Sequence, residues 1–295
     1  MFEFKEITIE DKELIESYII NKKENSEMSF VNLYIWKDYY QSRYCICDGM
    51  MVFIHTVPDG KRVCSYPCGR GDVLSCLTKL KEYFAQTKEA LVITNATRKE
   101  ADDFKRFFPC ATVTENRDFE DYVYSTDSLI SLSGKKLHAK RNHLNRFKNT
   151  YKGYVYRPIT EDDFSRCIGF AKYISGNLDY SGEISDSGEI RSIELIFEKF
   201  HQLGLKGGLI EIEGNLAAFT VCEEHIPGGA IIHVEKADTA YDGIYVAINN
   251  EFASNELSHT EFINREEDMG LEGLRKAKLS YRPCRMVEKF ICIAK

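Results

Sequence analysis

The chain has 295 residues, enough for one large domain or for two of about 100–150 residues each. Hydrophobic residues make up 43%, charged residues 29%, and only 6 residues are proline, which excludes a disordered or collagen-like chain. The net charge of −7 argues against general nucleic-acid binding, and we expect no DNA partner.

Targeting and cysteine patterns favour a cytoplasmic protein. No apolar run approaches the ~20 residues that span a bilayer, and no secretory signal is visible at the N-terminus. The ten cysteines are scattered, and the closest pairs, Cys45 with Cys47 and Cys64 with Cys68, lack zinc-site spacing. We therefore expect reduced, mostly buried thiols and no metal site. We also expect no tightly bound cofactor.

A strand followed by a helix opens each half of the chain. Residues 2–8 alternate as a strand, and 10–20 follow as an amphipathic helix with acids in its first turn and Thr8 as its N-cap. Residues 154–160 and 161–174 repeat this pattern, and Thr160 lies 152 positions after Thr8. A recurrence at this distance indicates a duplicated domain rather than a solenoid.

The remaining elements also correspond between the halves. The first half predicts helices over 30–40, 73–87 and 99–107, a hairpin over 44–57, and strands over 62–66, 90–94 and 111–124. The second half predicts helices over 191–203, 243–252 and 271–281, a hairpin over 208–222, and strands over 230–234, 260–264 and 286–294. The order predicts an α+β (mixed α/β) fold with a central mixed sheet in each half, as in acyl-CoA N-acyltransferase (GNAT) domains.

A basic helix is predicted between the halves. Residues 133–152 contain seven lysines and arginines, two histidines and no acid, although the chain as a whole is acidic. An apolar face can pack on the protein while Lys136, Lys140 and His143 form a stripe at positions i, i+4 and i+7. This stripe suits an anionic partner, either a phosphate backbone or a lipid headgroup, and the alternative is a solvated face.

Polar residues follow two apolar strands near the C-terminus. Glu235 and Lys236 end the first strand, and Asn264, Arg265, Glu266 and Glu267 follow the second directly. Sites in such folds tend to lie where strands feed loops. Asp268 is placed to cap the next helix, so capping and ion pairing within the loop are the alternative.

Long motifs in the chain resemble a bacterial family of uncharacterised proteins related to the C-terminal catalytic domain of phosphatidylglycerol lysyltransferases. The motifs are KKLHAKRNHLNRF at 135–147, IHVEKA at 232–237 and NREEDMGLEGLRKAKLSYRP at 264–283, with FVNLYIW at 30–36. The resemblance implies two tandem GNAT-like domains, as in Fem-type peptidyltransferases. It also implies transfer of an amino acid, lysine among the candidates, from aminoacyl-tRNA to a lipid or peptide acceptor. The lipid-modifying enzymes carry a membrane-spanning part before this region, and no such part is visible in this sequence. We therefore expect a cytoplasmic protein and leave open peripheral contact with the inner membrane face.

The resemblance implies domains at 1–132 and 153–295, with the basic helix 133–152 between them, and we expect the second domain to be the active half. Aminolysis of an activated ester needs a proton route and stabilisation of the oxyanion, and no nucleophilic triad is visible. Candidate catalytic residues are Glu235, Lys236 and Arg265. Candidate substrate-binding residues are Asn264, Glu267, Asp268, Arg275, Lys278 and Tyr281, with Glu267 and Asp268 suited to a cationic donor. Candidate tRNA- or anion-binding residues are Lys136, His138, Lys140, Arg141 and His143.

Two alternatives stay open. An acetyl-CoA-dependent N-acetyltransferase would bind pyrophosphate at a glycine-rich turn before a helix. Residues 238–244 offer one glycine beside Asp238 and Asp242, and residues 67–72 offer two glycines that also fit a simple turn. The other alternative is a non-enzymatic duplicated domain that binds an anionic surface or RNA through the basic helix.

Overall fold

The computed structural model describes residues 2–19, 25–177 and 186–295, and within these ranges the chain forms strands and helices in the alternating order expected of a mixed α/β protein. The strands are β1 (Lys5–Glu6), β2 (Arg43–Cys47), β3 (Met50–Thr56), β4 (Arg62–Ser65), β5 (Cys68–Gly69), β6 (Leu91–Ala96), β7 (Thr112–Glu115), β8 (Asp121–Ser125), β9 (Val155–Pro158), β10 (Lys206–Ile212), β11 (Asn215–Ile226), β12 (Gly229–Ala237), β13 (Phe262–Asn264), β14 (Arg285–Val287) and β15 (Phe290–Ala294). The α-helices are α1 (Lys12–Tyr18), α2 (Phe30–Ile35), α3 (Val73–Gln86), α4 (Arg98–Phe107), α5 (Thr126–Ser131), α6 (His138–Thr150), α7 (Phe164–Asn177), α8 (Asp186–Glu198), α9 (Phe200–Leu203), α10 (Ile244–Glu256) and α11 (Glu272–Leu279). Short 3-10 turns cover Ile9–Asp11, Ser26–Met28, Arg117–Phe119, Lys135–Leu137 and Glu161–Asp163.

The first compact unit comprises residues 1–121 and 287–295. Its sheet has the order β1-β2-β3-β4-β6-β15-β7, with β5 paired to β3. β4 and β6 run parallel, and the other registers recorded for this sheet are antiparallel. Its core is formed by apolar residues of β3, β6, α3, α4 and β15.

The second compact unit comprises residues 122–286. Its sheet has the order β14-β8-β13-β12-β11-β10-β9, and β12 and β13 are its parallel pair. Read from β9, this order matches the first sheet position by position, with β12 and β13 in the places of β4 and β6. The duplicated mixed-sheet fold predicted from the sequence is therefore present in both units.

The boundaries of the units differ from the predicted domains. Strand β8, expected to end the first domain, lies in the second sheet between β13 and β14. The expected single strand over 286–294 is two strands: β14 stays in the second sheet, and β15 enters the first between β6 and β7. The basic helix α6 also belongs to the second unit rather than to a separate linker.

Local sequence explains the turns and caps that recur in both units. Asp48 and Gly49, and likewise Glu213 and Gly214, all have positive φ, as expected of the tight hairpin turns between twisted antiparallel strands. Thr8 and Thr160 each form a capping box with the aspartate three residues later. These caps are the ones predicted from the sequence.

Helices cover both faces of the second sheet. Buried residues of α5, α6 and α10, among them Phe147 and Phe252, form one core with β10, β11 and β12. On the other face, Phe219 of β11 packs against Phe170 of α7 and Phe197 of α8, with ring centroids 6.1 and 5.9 Å away. Because side chains alternate along a strand, each residue of β12 faces one helix layer or the other.

Candidate active site of the second unit

The parallel strands β12 and β13 pair over only part of their length. Gly229–Ile231 lie opposite Phe262–Asn264, and β12 then continues to Ala237. The chain after β13 follows β8 instead, because the Arg265 amide donates to the Tyr122 carbonyl at 2.9 Å and the Tyr122 amide donates to Glu266 at 3.2 Å. A side chain from each diverging segment can therefore reach into the space between them.

A β-bulge in β12 sets which side chains enter this space. Val221 and Cys222 are consecutive in β11, but they lie opposite Val234 and Ile232, so His233 is the extra residue. The bulge moves the alternation by one position and turns Glu235 toward α10. Lys236 faces the other layer, where its ammonium pairs with Glu189 of α8 at 2.7 Å. The sequence led us to expect Lys236 and Glu235 in one site. They are separated, because adjacent residues of a strand face opposite sides of the sheet.

Glu235 and Arg265 form a buried ion pair across the diverging strands. Arg265 Nη2 lies 2.7 Å from Glu235 Oε1, and the two side chains are 12% and 11% exposed. The guanidinium also lies 5.0 Å from the ring centroid of Tyr281 and 5.8 Å from that of Tyr124. Burial opposes the charge on Arg265, but Glu235 and the two tyrosines together hold its pKa above the ordinary value. Arg265 is therefore a permanent cation in this site.

Lys140 of the basic helix reaches the same cluster. Its ammonium lies 4.0 Å from the ring centroid of Tyr281, and the residue is partly buried. Burial and, to a smaller extent, the positive charge of Arg265 lower the pKa of Lys140, and Glu235 partly offsets both, so that the pKa is about 8. A lysine with a pKa near 8 can take up and release a proton close to neutral pH.

Several predicted substrate-binding residues brace the loop that carries Arg265. Lys278 donates to the carbonyl oxygens of Arg265 at 2.6 Å and Glu266 at 3.1 Å, and also to that of Glu267. The Asn264 side chain accepts from the Glu266 amide at 2.8 Å, closing a turn in which Glu266 has a φ of +55°. Such a strained turn persists only where its surroundings fix it.

Asp268 also holds the loop that carries Arg265. We expected it to cap the next helix, and it does not. Its carboxylate is fully buried and accepts two hydrogen bonds from Arg275, at 2.7 and 2.9 Å, and one from the Tyr122 hydroxyl at 2.5 Å. Helix α11 begins four residues later, with Leu271 at its N-cap. These contacts hold the Asp268 carboxylate inside the protein.

A charged histidine links the bulge to this loop. His233 is fully buried, with Nε2 3.0 Å from Glu223 and Nδ1 2.9 Å from Glu266. Burial lowers its pKa, but the hydrogen bonds and negative charges of both carboxylates outweigh this effect and raise the pKa to about 10. We refer to His233, Glu223 and Glu266 as the imidazolium clamp. It fixes the residue that directly follows Arg265.

The rest of the basic helix is less uniformly charged than the sequence suggests. Arg146 pairs with Asp242 at 2.9 Å and Lys148 pairs with Glu251 at 2.8 Å, so acids from elsewhere in the unit offset part of its charge. Arg141 donates to the Leu132 carbonyl at 2.5 Å, after the end of α5. Of the predicted anion-binding residues, Lys136, His138 and His143 are exposed, whereas Lys140 points into the cluster around Tyr281. The helix therefore contributes to both a surface and a site.

The two predicted phosphate turns are engaged within the protein. A Cβ at Gly243, which caps α10 with a φ of +84°, would lie 3.0 Å from the His143 carbonyl, so α6 packs directly on this turn. Before α3, a Cβ at Gly71 would overlap the Asp48 carbonyl at 1.8 Å, and Asp72 caps the helix by accepting from the Ser75 amide. Both glycines are needed for close backbone packing.

Sequence reasoning missed four residues of the site. Tyr122 and Tyr124 were placed in a strand of the first half, and their approach to Asp268 and Arg265 follows from the position of β8 in the second sheet. Asn249 is buried in α10, with its amide nitrogen 3.5 Å from Glu235 Oε2. Asn249 could have been found in the sequence as a polar residue within an apolar helix. His233 could have been found in the same way, as a polar residue within an apolar strand.

The two units share one strand order, which defines a tandem GNAT-like fold, and the comparisons with known proteins agree with this fold. Residues 19–293 match the family model described as phosphatidylglycerol lysyltransferase, C-terminal, and the chain belongs to this family. None of the helices in the described ranges is long and apolar enough to cross a membrane.

Similar proteins extend this result. A conserved protein of unknown function from Bacteroides thetaiotaomicron is 35% identical, with a TM-score of 0.90 over all of both chains. The structure of L-PGS from Bacillus licheniformis (16% identical, TM-score 0.66, 96% of this chain and 91% of that one) and that of FemX (10%, 0.62, 98% and 96%) share the fold. An uncharacterised protein of Mycoplasmoides gallisepticum is 26% identical over 69% of this chain, and the match spans 65% of that protein's own length.

Proposed function

We propose that this chain is an aminoacyltransferase that uses aminoacyl-tRNA and acts at the site of its second unit. Membership of the family supports aminoacyl transfer as the class of reaction. The observation that carries the proposal is the convergence of three separate sequence motifs, since Lys140, Glu235 and Arg265 meet around Tyr281. The acceptor that we propose is an amine or hydroxyl group of a lipid headgroup or a peptide.

The geometry suits aminolysis or transesterification of an activated ester. Lys140 in its neutral form accepts the proton of the attacking acceptor, and the new bond to the carbonyl carbon forms as the carbonyl oxygen becomes an oxyanion. Arg265 stabilises that oxyanion, because it is a buried donor with a permanent charge. Lys140 then gives its proton to the 3′-oxygen of the tRNA as the ester bond breaks. Glu235 holds Arg265 in place and balances its charge.

The exposed start of the basic helix is the part that we propose binds tRNA. Lys136 and His138 lie on the surface in the same segment that places Lys140 in the site. A phosphate backbone bound there would reach the reacting ester without crossing the core. Lysine stays a proposed donor on family grounds alone, because Asp268 is committed to Arg275 and Tyr122. We assign Asp268, Arg275, Lys278, Asn264 and Glu267 to positioning of the Arg265 loop.

The acetyl-CoA alternative has weaker support. Pyrophosphate binding at the start of α10 would need exposed amides, but α6 packs on Gly243. The amides of Ile244, Val246 and Ala247 donate to carbonyl oxygens of Tyr241 and Gly243, and Asp242 adds negative charge at this turn. These contacts disfavour an anion there.

Transfer of a radiolabelled amino acid tests the proposal. The purified protein is incubated with bulk aminoacyl-tRNA and with separated membrane and soluble fractions of a bacterial extract. We expect label in a lipid or peptide product, lost after RNase treatment and reduced at least 100-fold in Lys140→Met. Lys172→Met is the matched control, because Lys172 pairs with Glu194 on the other helix layer. Transfer that survives RNase, or full activity of Lys140→Met, would overturn the proposal.

A further inference from the structure

Two buried polar atoms at the site have no hydrogen-bond partner among the residues that the structure describes. They are Oδ1 of Asn249 and Nη1 of Arg265. Asn249 is 5% exposed, and its other amide atom faces Glu235. Buried polar groups are nearly always paired, so an unpaired acceptor and an unpaired donor beside the same carboxylate need an explanation.

The orientation of the Asn249 amide follows from its neighbour. Nδ2 lies 3.5 Å from Glu235 Oε2, and the reversed amide would place a carbonyl oxygen against this carboxylate. The preceding turn is fixed because Gly243 packs on α6. Asn250, the next residue, differs in that its Nδ2 donates to the carbonyls of Leu129 and Ile130 at 2.9 and 2.7 Å. Asn250 therefore ties α10 to α5, whereas the amide of Asn249 lies beside Glu235 and its oxygen has no such partner among the described residues.

The available groups match the two ends of an α-aminoacyl group. Asn249 Oδ1 is an unpaired acceptor on the side chain that lies beside Glu235 Oε2, and two acceptors on adjacent side chains suit an ammonium group. Arg265 Nη1 is a donor on a buried cation, which suits a carbonyl oxygen. In an aminoacyl ester the ammonium and the carbonyl are borne by adjacent carbon atoms, so one small ligand can reach both.

We propose that Asn249, Glu235 and Arg265 form a subsite that recognises the free α-ammonium and the carbonyl of the donor's aminoacyl group. This inference rests on the proposed function. It adds to that function which part of the donor the protein recognises. A bound ammonium also places a positive charge near Lys140, which favours the neutral form needed for proton transfer.

The subsite predicts selectivity for donors with a free α-amino group. An N-acylated aminoacyl group or a plain acetyl group lacks the ammonium and would leave the Asn249 oxygen unpaired. Sites built to hydrogen-bond a substrate group reject analogues that lack it far more strongly than apolar pockets reject a missing methylene. We expect a discrimination of at least tenfold.

Binding of small analogues tests the subsite without any acceptor. The probes are L-amino acid amides and their N-acetyl derivatives, titrated into the full chain by ligand-observed NMR. We expect at least one free amide to bind, its N-acetyl derivative to bind at least tenfold more weakly, and Asn249→Leu to lose this difference. Asn255→Leu, an exposed amide in the same helix, is the matched control and should bind as the wild type does. Equal binding of both probes, no binding of any amide, or a difference that persists in Asn249→Leu would overturn the inference.

Two further measurements keep the result interpretable. Circular dichroism confirms that Asn249→Leu is folded, and Asn249→Asp, which keeps an acceptor oxygen, should retain the preference for the free amide. Its loss in Asn249→Asp would contradict the assignment. If amides bind but aminoacyl-tRNA supports no transfer, the proposed function fails and the subsite stands. If N-acetylated aminoacyl-tRNA serves equally well in transfer, the subsite fails and the function stands.

Discussion

At the scale of single residues, Lys140 determines how the proposed reaction responds to pH. Its pKa is lowered to about 8 by burial and by Arg265, and the neutral form is the reactive one. We therefore expect kcat/KM for aminoacyl transfer to rise about tenfold per pH unit below pH 8 and to level off above it. The measurement is a pH–rate profile from pH 6 to 9. In Lys140→Arg the activity should fall at least 100-fold and this rise should disappear, and an unchanged profile would rule out Lys140 as the proton carrier.

The sequence identified the charged residues of the site better than their roles. Glu235 and Arg265 stood out because polar residues directly followed apolar strands, and the structure brings them together. Lys236 shared that signal, but a one-residue bulge turned it to the other face. Bulges depend on pairing with a distant strand, so the local pattern carries no trace of them. The contact of Asp268 with Tyr122 was equally hidden, because Tyr122 lies 146 positions earlier in the chain.

At the scale of elements, the imidazolium clamp joins β12 to the Arg265 loop and makes stability depend on pH. The pKa of His233 is about 10 in the folded protein and ~6.5 when unfolded. Its contribution is therefore complete below pH 6.5 and is lost as the pH rises toward 10. The titratable groups around His233 are Glu223, Glu266 and His225. His225 lies 3.8 Å from Glu223.

Denaturant unfolding at pH 6.5 and 9.5 measures this contribution. Replacing His233 with Gln leaves two buried carboxylates without their cation, and we expect it to lower the free energy of unfolding at pH 6.5 by on the order of 3 kcal/mol. The variant should also lose most of the wild-type decrease between the two pH values. His259→Gln, which removes an exposed pair with Glu224, should change stability little. Equal effects of the two substitutions would show that the clamp is not charged.

Elements with a strong local pattern were predicted well, and those defined by long-range pairing were not. Both hairpins and both threonine caps appear where the sequence placed them, since turn and cap preferences act over a few residues. The helix expected over 30–40 ends at Ile35, and the helix expected over 191–203 is interrupted at Lys199. Element ends are set by packing as well as by propensity.

At the scale of the whole molecule, the C-terminal strand completes the sheet of the first unit. β15 pairs with both β6 and β7, and Lys289 just before it is fully buried with its ammonium 2.6 Å from Asp121. Removing residues 288–295 should therefore expose the N-terminal half to limited proteolysis, with cleavage sites mapped by mass spectrometry within residues 2–121. Removal of Lys295 alone, which lies beyond β15, is the control. Unchanged protection after the longer truncation would contradict this arrangement.

The exchange of strands also explains why the domain boundaries could not be predicted from the sequence. β8 and β15 are short apolar strands that fit either sheet by composition, and each lies in the sheet formed mainly by the other half of the chain. Repeat detection revealed the duplication but not which copy of a strand joins which sheet. The family resemblance, in contrast, came from long contiguous motifs, and the matching family model confirms it.

A surrogate acceptor tests most directly whether the second unit catalyses nucleophilic attack on an aminoacyl ester. Hydroxylamine converts aminoacyl-tRNA to an aminoacyl hydroxamate slowly on its own, so the protein's contribution can be measured without knowing the natural acceptor. We predict that the wild-type protein accelerates hydroxamate formation above this background and that Arg265→Met does not, because it lacks the donor for the oxyanion. A rate with the wild-type protein no higher than in buffer would contradict the account.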